Sequence, residues 1–289
     1  MIVTGEINRV RTTRWADGPL SWGLVPTMGY LHEGHLSLVR RARADNERVG
    51  VSIFVNPTQF APHEDLGTYP RDLARDLAML QGEGVGLVFT PNEATMYPPG
   101  FQTTVTVAEL SRPLEGASRP THFGGVATVV AKLFNIFQPT RAYFGQKDAQ
   151  QSIVLRQMVR DLNFNLELIV CPTVREADGL AMSSRNQNLS PPERLAATVL
   201  YRALSQAQAA YEAGERRGDV LRRIMADTIT AEPLARLDYI SVAHPETLAE
   251  LEQVGEGTLL STAVFIGQTR LIDNIPVGTA AGEQAGDPV

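Results

Sequence analysis

The sequence predicts an α/β fold: a Rossmann-like parallel sheet with helices on both faces, followed by a smaller α+β C-terminal domain. Three observations support this prediction. Short β-branched or aromatic runs alternate with longer amphipathic runs up to about Pro172. An apolar strand, a glycine-containing turn and the start of a helix follow one another between Trp22 and Ala42. After Pro172 the chain changes to a small, polar loop and then to alanine- and leucine-rich helical sequence.

The alternating runs give the order of elements in the larger domain. The predicted strands span residues 23–26, 49–55, 85–90, 103–107, 142–145 and 166–170. The predicted helices span residues 35–46, 71–83, 125–137 and 149–162. This alternation is typical of βαβ units built around a largely parallel sheet. In the helix 71–83, leucines form an apolar face, and we expect Asp72 and Asp76 to lie on a solvated acidic face.

The smaller domain begins with a loop, residues 175–190, that leads to a helix start at Pro191-Pro192-Glu193. Helical sequence follows over residues 194–211 and 217–229. Strands are predicted at 237–243 and 262–266, with 270–273 as a continuation of the second, and residues 279–289 as a frayed tail. The predicted domains are therefore residues 1–173 and 174–289.

Composition limits the classes of partner. The chain has 289 residues, 43% hydrophobic and 20% charged, which is typical of a globular protein. A net charge of -6 argues against a nucleic-acid-binding surface. We see no apolar secretory segment at the start and no run long enough to span a bilayer, so we expect no membrane partner. The single cysteine, Cys171, predicts a reducing cytoplasm and a buried, inert thiol.

The strand–turn–helix near residue 30 carries the motif His32-Glu33-Gly34-His35. Backbone N–H groups and the helix dipole at such a junction favour a phosphate, and two imidazoles there can hydrogen-bond phosphate oxygens. The pattern resembles the H-x-G-H signature of the nucleotidyltransferase superfamily. Two alternatives stay open: a zinc site, although zinc helices space their histidines four apart, and ordinary surface or capping histidines.

Three further polar clusters follow predicted strands, at the edge where open parallel sheets bind ligands. Asn56 and Gln59 offer neutral amides to a hydroxy acid, or form a plain Asn-Pro turn. In the second cluster, Lys147 could bind phosphate, and Asp148 could cap a helix or hold a cation, with Gln151 one turn into that helix. The alternative is that Lys147 and Asp148 are an exposed pair of charges without a binding role. The third is a loop that could close over a triphosphate or lie solvated, with Met182, Ser183, Ser184, Arg185 and Asn186.

Taken together, these segments resemble one family, the pantothenate synthetases (pantoate–β-alanine ligases), from about Gly23 to Asn274. The segments that carry the resemblance are PTMGYLHEGH, SIFVNPTQF, YPR, FTP, MYPPG, RPTHFGGVATVVAKLFNI, FGQKDAQQ and PTVREADGLAMSSRN. The resemblance implies a ligase of pantothenate biosynthesis, on the route to coenzyme A. Such a ligase condenses (R)-pantoate with β-alanine and ATP, and gives pantothenate, AMP and pyrophosphate through a pantoyl adenylate.

The resemblance also implies roles for particular residues. The catalytic set would be His35 as proton donor, with His32, Lys147, Ser183, Ser184 and Arg185. Gln59 would contact pantoate and β-alanine, with Gln151 and Asn56 completing the acid site. The ATP site would comprise Pro26, Thr27, Met28, Gly29, Tyr30, Leu31, His32, Glu33, Gly34, His35, Gly145, Gln146, Lys147, Asp148, Val174, Met182, Ser183, Ser184 and Arg185.

The resemblance further implies Mg²⁺ with the ATP, with no protein ligand assigned, and a homodimer. Two positions depart from the family. Where its members commonly have Gly-Glu-Lys-Asp followed by an aromatic residue, this chain has Gln146 and Ala149. Two rivals remain: an H-x-G-H nucleotidyltransferase that adenylylates a different small acceptor, and a silent ATP-binding module. The neutral amides of Asn56 and Gln59 favour a small hydroxy acid over a phosphorylated acceptor.

Overall fold

A computed structural model describes residues 1–62 and 64–278. The chain forms two compact units. Among the described residues, the first comprises Met1–Gly145 and Gln150–Cys171, and the second comprises Gln146–Ala149 with residues 172–278. The predicted division into 1–173 and 174–289 stays a prediction, and the predicted tail 279–289 lies outside the described residues.

The first unit alternates strands and helices, as the sequence predicts. Its elements in chain order are β1 (Ile2–Thr4), α1 (Ile7–Ala16), β2 (Trp22–Thr27), α2 (Glu33–Asp45), β3 (Arg48–Ile53), α3 (Leu73–Gly82), β4 (Leu87–Phe89), the one-turn helices α4 (Glu93–Met96) and α5 (Glu115–Ser118), α6 (His122–Phe137), β5 (Arg141–Gly145), α7 (Ala149–Asp161) and β6 (Glu167–Cys171). The 3₁₀ turn Pro57–Gln59 precedes α3, and a second 3₁₀ turn, Gln146–Asp148, precedes α7 and belongs to the second unit.

The six strands form one parallel sheet in the order β1-β4-β3-β2-β5-β6. From β2 the chain moves first to β3 and β4 on one side, and later to β5 and β6 on the other. Strands β2 and β5 are therefore the neighbours at which the strand order reverses, the position where open α/β sheets bind their ligands. The H-x-G-H motif follows β2, and Gly145 ends β5.

Side chains that alternate along the strands fill two cores, one on each face of the sheet. Leu24 and Leu87 belong to the core that also contains α6 and α7. Their neighbours Val25 and Val88 belong to a second core, which contains α2 and the C-terminal part of α3. All four are fully buried, and burying such side chains contributes about 1.5–3 kcal/mol each. The predicted helices on both faces are confirmed.

The second unit is the predicted smaller α+β structure. Its elements are a 3₁₀ turn Ser184–Asn188, α8 (Pro191–Ala196), α9 (Val199–Glu212), α10 (Gly218–Thr230), β7 (Ala235–Ala243), β8 (Leu259–Ile266) and β9 (Thr269–Pro276). The strands form an antiparallel sheet in the order β7-β8-β9. Leu200 and Leu204 of α9 share one core with Val242 and Val264 of the sheet.

Two predicted strands differ from the structure. Residues 103–107 form irregular chain: the N–H of Val105 donates to Thr128 Oγ1 on α6 (2.9 Å), and Val107 is buried in the core. A β-branched run can therefore pack on a helix without joining a sheet. Residues 270–273 do not continue β8. They belong to the separate strand β9, which pairs antiparallel with β8.

Candidate active site

The turn after β2 takes a left-handed backbone at two successive residues. Gly29 has φ +82° and Tyr30 has φ +51°. Thr27 Oγ1 accepts the N–H of Gly29 (3.2 Å) and donates to the carbonyl of Ser52 (2.8 Å). A side chain at Gly29 would place its Cβ 3.0 Å from Ile53 Cγ2, and the positive φ would strain it further. Glycine therefore avoids both the close contact and the strain at this position.

A buried carboxylate holds the same turn from α3. Asp76 is 1% exposed, and its two oxygens accept the N–H groups of Tyr30 and Leu31, each at 2.7 Å. The expectation of a solvated acidic face is wrong for Asp76, because the backbone donors of a buried turn need acceptors. Arg75 adds a second contact from α3, since its guanidinium lies 5.2 Å from the centre of the Tyr30 ring.

The two histidines cap α2 reciprocally. His32 is the N-cap residue, and its Nδ1 accepts the N–H of Gly34 (3.2 Å), while its own N–H donates to His35 Nδ1 (3.3 Å). The ring centres lie 4.1 Å apart. A ring nitrogen that accepts a hydrogen bond carries no proton, so the geometry assigns the proton of the neutral form of each ring to Nε2. Both rings therefore combine a capping role with an Nε2–H donor at the N-terminus of α2, where the helix dipole favours an anion.

The amide of Asn56 organises the turn after β3. Asn56 is 1% exposed, and its Nδ2 donates to Gln59 Oε1 (3.1 Å) and to the carbonyl of Gly125 (3.2 Å). Its Oδ1 accepts from Tyr97 Oη (2.7 Å) and Thr58 Oγ1 (3.0 Å). These four bonds use the full hydrogen-bonding capacity of the amide. Asn56 therefore orients Gln59 in this structure.

Gln59 in turn lies beside the H-x-G-H turn. Its Nε2 lies 3.2 Å from the sulfur of Met28, so the structure brings the predicted acid-binding amide together with one end of the predicted ATP motif. Helix α6 supports the turn Pro57–Gln59 from below, because a Cβ at Gly125 would lie 2.4 Å from the carbonyl oxygen of Thr58. This close approach requires glycine at position 125.

A buried histidine and an ion pair hold the backbone of Gln59. His122 Nδ1 lies 2.9 Å from the carbonyl oxygen of Gln59. Burial, and secondarily the charge of Arg119, lower the pKa of His122 to about 4, so the ring is neutral at pH 7 and can donate this bond. Arg119 pairs with Glu64 through two nitrogens, at 2.5 and 2.8 Å. Burial alone would raise the pKa of Glu64, but the hydrogen bond and charge of Arg119 lower it overall.

In the second unit, Lys147 lies in the 3₁₀ turn Gln146–Asp148, half-buried, with its Nζ 3.4 Å from Asp148 Oδ1. The side chain of Asn274 in β9 donates to the carbonyls of Gln146 and Lys147, both at 2.9 Å. Gln146 Nε2 donates back to Asn274 Oδ1 at 2.9 Å. The departure at position 146 therefore takes part in fixing the Lys147 segment.

The Ser-Ser-Arg segment follows a short hairpin. Arg175 bridges Ala181 antiparallel, and the N–H of Met182 donates to the carbonyl of Val174 (3.0 Å). Ser183 Oγ accepts the N–H of Arg185 (3.2 Å) and caps the 3₁₀ turn that Ser184 begins. All the predicted triphosphate residues of this segment therefore lie within one continuous, hydrogen-bonded stretch of the second unit.

Other predicted residues lie as follows. Gln151 is in the first turn of α7, half-buried, and Ala149 is buried at the start of that helix. Burial raises the pKa of the Cys171 thiol to about 11, which agrees with an inert strand cysteine. Among residues 1–62 and 64–278, no three His, Cys, Asp or Glu side chains come close enough together to hold a metal ion. In the same residues, no helix is long and apolar enough to cross a membrane.

Several supporting residues were not predicted. Asp76, Tyr97, His122 and Asn274 each hold a predicted site segment through hydrogen bonds. The sequence gives a weak signal for two of them: Tyr97 lies in the segment MYPPG and His122 in a segment that begins RPTHF, and the family resemblance includes both. The others are far in sequence from the segments that they support, so periodicity and spacing cannot indicate the pairing.

A parallel sheet whose strand order reverses beside a helix capped by H-x-G-H defines a doubly wound α/β protein with a candidate ligand site at the point of reversal. Comparison with known proteins narrows this class. The family model described as pantoate-beta-alanine ligase matches residues 3–276. The chain belongs to this family.

Individual relatives and solved structures agree. The chain is 61% identical over 275 residues to the pantothenate synthetase of Chloroflexus aggregans, covering 95% of this chain and 99% of that protein. It is 66% identical over 252 residues to that of Roseiflexus castenholzii, covering 87% and 91%. The pantothenate synthetase structure from Thermus thermophilus superposes with a TM-score of 0.92 at 49% identity, covering 96% and 99%. The Francisella tularensis pantoate-beta-alanine ligase was solved in complex with beta-gamma ATP and beta-alanine. It superposes with a TM-score of 0.80 at 36% sequence identity, covering 97% of this chain and 99% of that chain.

Proposed function

We propose that this chain is an AMP-forming ligase that condenses (R)-pantoate with β-alanine to give pantothenate. Membership of the pantoate–β-alanine ligase family over residues 3–276 is the observation that carries the proposal. The structure of the Francisella tularensis relative with beta-gamma ATP and beta-alanine supports two of the three substrates. The reciprocal cap of His32 and His35 supplies the matching chemistry, two N–H donors at a helix N-terminus.

The reaction has two steps. In the first, a carboxylate oxygen of pantoate attacks the α-phosphorus of ATP, the bond from that phosphorus to the bridging oxygen breaks, and pyrophosphate leaves. In the second, the amine of β-alanine attacks the acyl carbon, the bond to the AMP oxygen breaks, and the nitrogen loses a proton. The activation is necessary because a free carboxylate is a poor electrophile, whereas AMP is a good leaving group.

In the first step, negative charge moves onto the bridging oxygen of the departing pyrophosphate. The Nε2–H groups of His32 and His35 are suited to donate hydrogen bonds to phosphate oxygens as this charge develops. The resemblance implies His35 as the proton donor, a role that requires the imidazolium form of its ring, because a neutral imidazole donates a hydrogen bond but not its proton. The N-terminus of α2 adds its dipole, and the residues from Pro26 to Leu31 shape the turn that would face the nucleotide. Because the cap fixes both rings before substrate arrives, little reorganisation is needed.

We assign the acid site to the amides of Gln59, Asn56 and Gln151. Gln59 would contact both acids, and Asn56 would contribute by orienting it, since its own hydrogen bonds already go to Gln59, Gly125, Tyr97 and Thr58. Neutral amides hold hydroxyl and carboxylate groups without pairing the charge permanently, so pantoate's carboxylate stays nucleophilic.

Lys147, Ser183, Ser184 and Arg185 would bind the triphosphate, where ammonium and guanidinium groups stabilise its charge. The adenosine side would comprise Gly145, Gln146, Asp148, Val174 and Met182. In the part of the chain that the structure describes, no His, Cys, Asp or Glu cluster forms a metal cage. The resemblance implies a Mg²⁺ that arrives with ATP and has no assigned protein ligand, and this ion would neutralise phosphate charge.

A homodimer and a cytoplasmic location belong to the same proposal. The family resemblance supports the dimer, and the single buried cysteine fits a reducing compartment. Sedimentation of the purified protein would give its oligomeric state.

One assay tests the proposed reaction. Purified protein is mixed with ATP, Mg²⁺, pantoate and β-alanine, and AMP release is followed with each acid omitted in turn. We expect AMP only when both acids are present, and exchange of labelled pyrophosphate into ATP with pantoate alone. Exchange without pantoate, or AMP release with another acceptor only, would contradict the proposal.

A further inference from the structure

Strand β9 holds the Lys147 segment through a single amide. Asn274 is 5% exposed, and its Nδ2 donates to two successive carbonyls, those of Gln146 and Lys147, both at 2.9 Å. Its Oδ1 accepts Gln146 Nε2 at 2.9 Å. If the Asn274 amide were rotated by half a turn, its oxygen would face two carbonyl oxygens. The three bonds therefore fix both the amide and the backbone that it holds.

The preceding residue of β9 holds the other segment. Asp273 is 3% exposed, and its two oxygens accept from Arg175 Nη1 (2.6 Å) and Nη2 (3.0 Å), which is a bidentate pair. Arg175 also donates to the carbonyl of Gly179 (3.1 Å), and its guanidinium lies 4.4 Å from the centre of the Tyr201 ring. Arg175 is thus fixed on three sides at the base of the hairpin that leads to Ser183.

We propose that Asp273 and Asn274 are positioning residues of the adenylation step: as neighbours on one strand they hold the Lys147 segment and the hairpin before the Ser-Ser-Arg segment at a constant spacing. Strand β9 is suited to this role, because it pairs with β8 over eight residues from Thr269 to Pro276. The inference rests on the proposed function, in which both segments bind the triphosphate of ATP.

The physical reason is preorganisation. A triphosphate spreads its charge over several oxygens, so cations that bind it from two segments are effective only when those segments keep a fixed separation. A shift of about 1 Å in such a group can lower a rate by about a hundredfold, even when the substitution lies away from the reacting atoms. Asp273 and Asn274 bind backbone and Arg175, so their effect on the reaction is exerted through other groups.

Gln146, one of the two positions at which the resemblance indicates a departure from the family, takes part in the network. A glutamine at 146 supplies an N–H to Asn274 Oδ1, and this bond sets the amide orientation in which Nδ2 faces both carbonyls. The variant Gln146→Ala removes that one bond and leaves β9 intact. It therefore gives a milder perturbation of the same network than a substitution within the strand.

The test measures pantoate-dependent exchange of pyrophosphate into ATP for Asn274→Asp, Asp273→Asn and Gln146→Ala. We expect Asn274→Asp and Asp273→Asn to lower the exchange kcat by about ten- to a hundredfold, with Gln146→Ala less affected. The KM for pantoate should change little. The control is Gln268→Ala, an exposed amide in the turn before the same strand, which should keep the wild-type rate.

Two further measurements separate positioning from a general loss of structure. Amide formation from preformed pantoyl adenylate and β-alanine should proceed at the wild-type rate in Asn274→Asp and Asp273→Asn, since pyrophosphate has already left. In the Lys147→Ala background, Asn274→Asp should add little further loss, because its effect is transmitted through Lys147. An unchanged exchange rate, or fully additive losses, would overturn the proposal.

The outcomes also separate this inference from the proposed function. If wild-type protein shows no pantoate-dependent exchange, the proposed function fails and the inference fails with it. If the wild-type protein is active and the three variants match it, the inference alone is wrong. Should the strand variants not fold, as judged by circular dichroism, Gln146→Ala decides: a kcat equal to that of Gln268→Ala would refute the positioning role.

Discussion

Replacing Asp76 with asparagine should loosen the turn that carries the H-x-G-H motif. In the native protein each carboxylate oxygen accepts one N–H, from Tyr30 and from Leu31, both at 2.7 Å. Asparagine is nearly isosteric but has only one acceptor oxygen, so one buried N–H must face an NH₂ group instead. A hydrogen bond to a charged group contributes about 1.5–3 kcal/mol, and a buried unpaired donor costs about 1–3 kcal/mol.

We therefore expect Asp76→Asn to lower the free energy of unfolding by about 2–3 kcal/mol. The left-handed backbone of Tyr30, which costs about 1 kcal/mol or more, would also lose a bond that holds it in place. The turn should relax and displace His32 and His35, which follow it directly. A displacement of this kind should lower kcat by at least about tenfold.

Urea unfolding, followed by circular dichroism, gives the stability, and pantoate-dependent pyrophosphate exchange gives the rate. The matched control is Asp72→Asn on the same helix. Asp72 is exposed and caps α3 by accepting the N–H of Arg75 (3.1 Å), a role that asparagine fills equally well. The control should match wild type in both measurements. Wild-type stability in Asp76→Asn would refute the hydrogen-bond argument, and a normal kcat in a destabilised variant would limit Asp76 to a structural role.

Four further outcomes are expected. His35→Ala should lower turnover by about a hundredfold, because the variant loses one preorganised hydrogen-bond donor. A near-normal rate would exclude His35 from the mechanism. Gln59→Ala should raise KM for pantoate and β-alanine in steady-state assays and leave KM for ATP unchanged; the reverse pattern would contradict the assignment. Chelation of Mg²⁺ should abolish AMP release, and added Mg²⁺ should restore it. The pKa of His122 is lowered from 6.5 to about 4 in the native protein. As the pH falls from 6.5 towards 4, the histidine therefore takes up a proton in the unfolded chain before it does so in the native protein. Native stability should therefore decrease between pH 7 and pH 4 by about 3 kcal/mol more in wild type than in His122→Asn, measured by urea unfolding at both pH values; equal decreases would refute it.

The sequence predicted the strands and helices whose burial pattern is strong. Strand β2 and helix α2 are predicted to within two residues at each end, because a continuous apolar run indicates a strand buried on both faces and a 3.6-residue pattern records which side of a helix is buried. Elements with a weak pattern escaped prediction: β1 has three residues, and Val10 is the residue that α1 buries. Residues 103–107 have the composition of a strand, but they pack on α6, and composition does not record the partner.

The same distinction holds for the candidate site. The sequence places His32 and His35 at a helix start because both lie within one short motif. It does not reveal that each Nδ1 accepts a backbone N–H, since ring orientation depends on side-chain torsions. From the sequence, Asp76 is expected to be a solvated acid on a helix. In the structure it is buried against a turn forty-five residues earlier in the chain.

By itself, the sequence determined the alternation of strands and helices, the strand–turn–helix that ends in paired imidazoles, and membership of one family of ligases. The first two are local properties, because each depends on residue types within a few positions of one another. Family membership rests on several such short segments that follow one another in a fixed order along the chain. Only the tertiary structure decided which buried acceptors hold the turn at Tyr30, which amide fixes Gln59, and that Asp273 and Asn274 bind two segments at once. Hydrogen-bond partners of this kind are set by how elements pack in space, and a linear pattern carries no record of that packing.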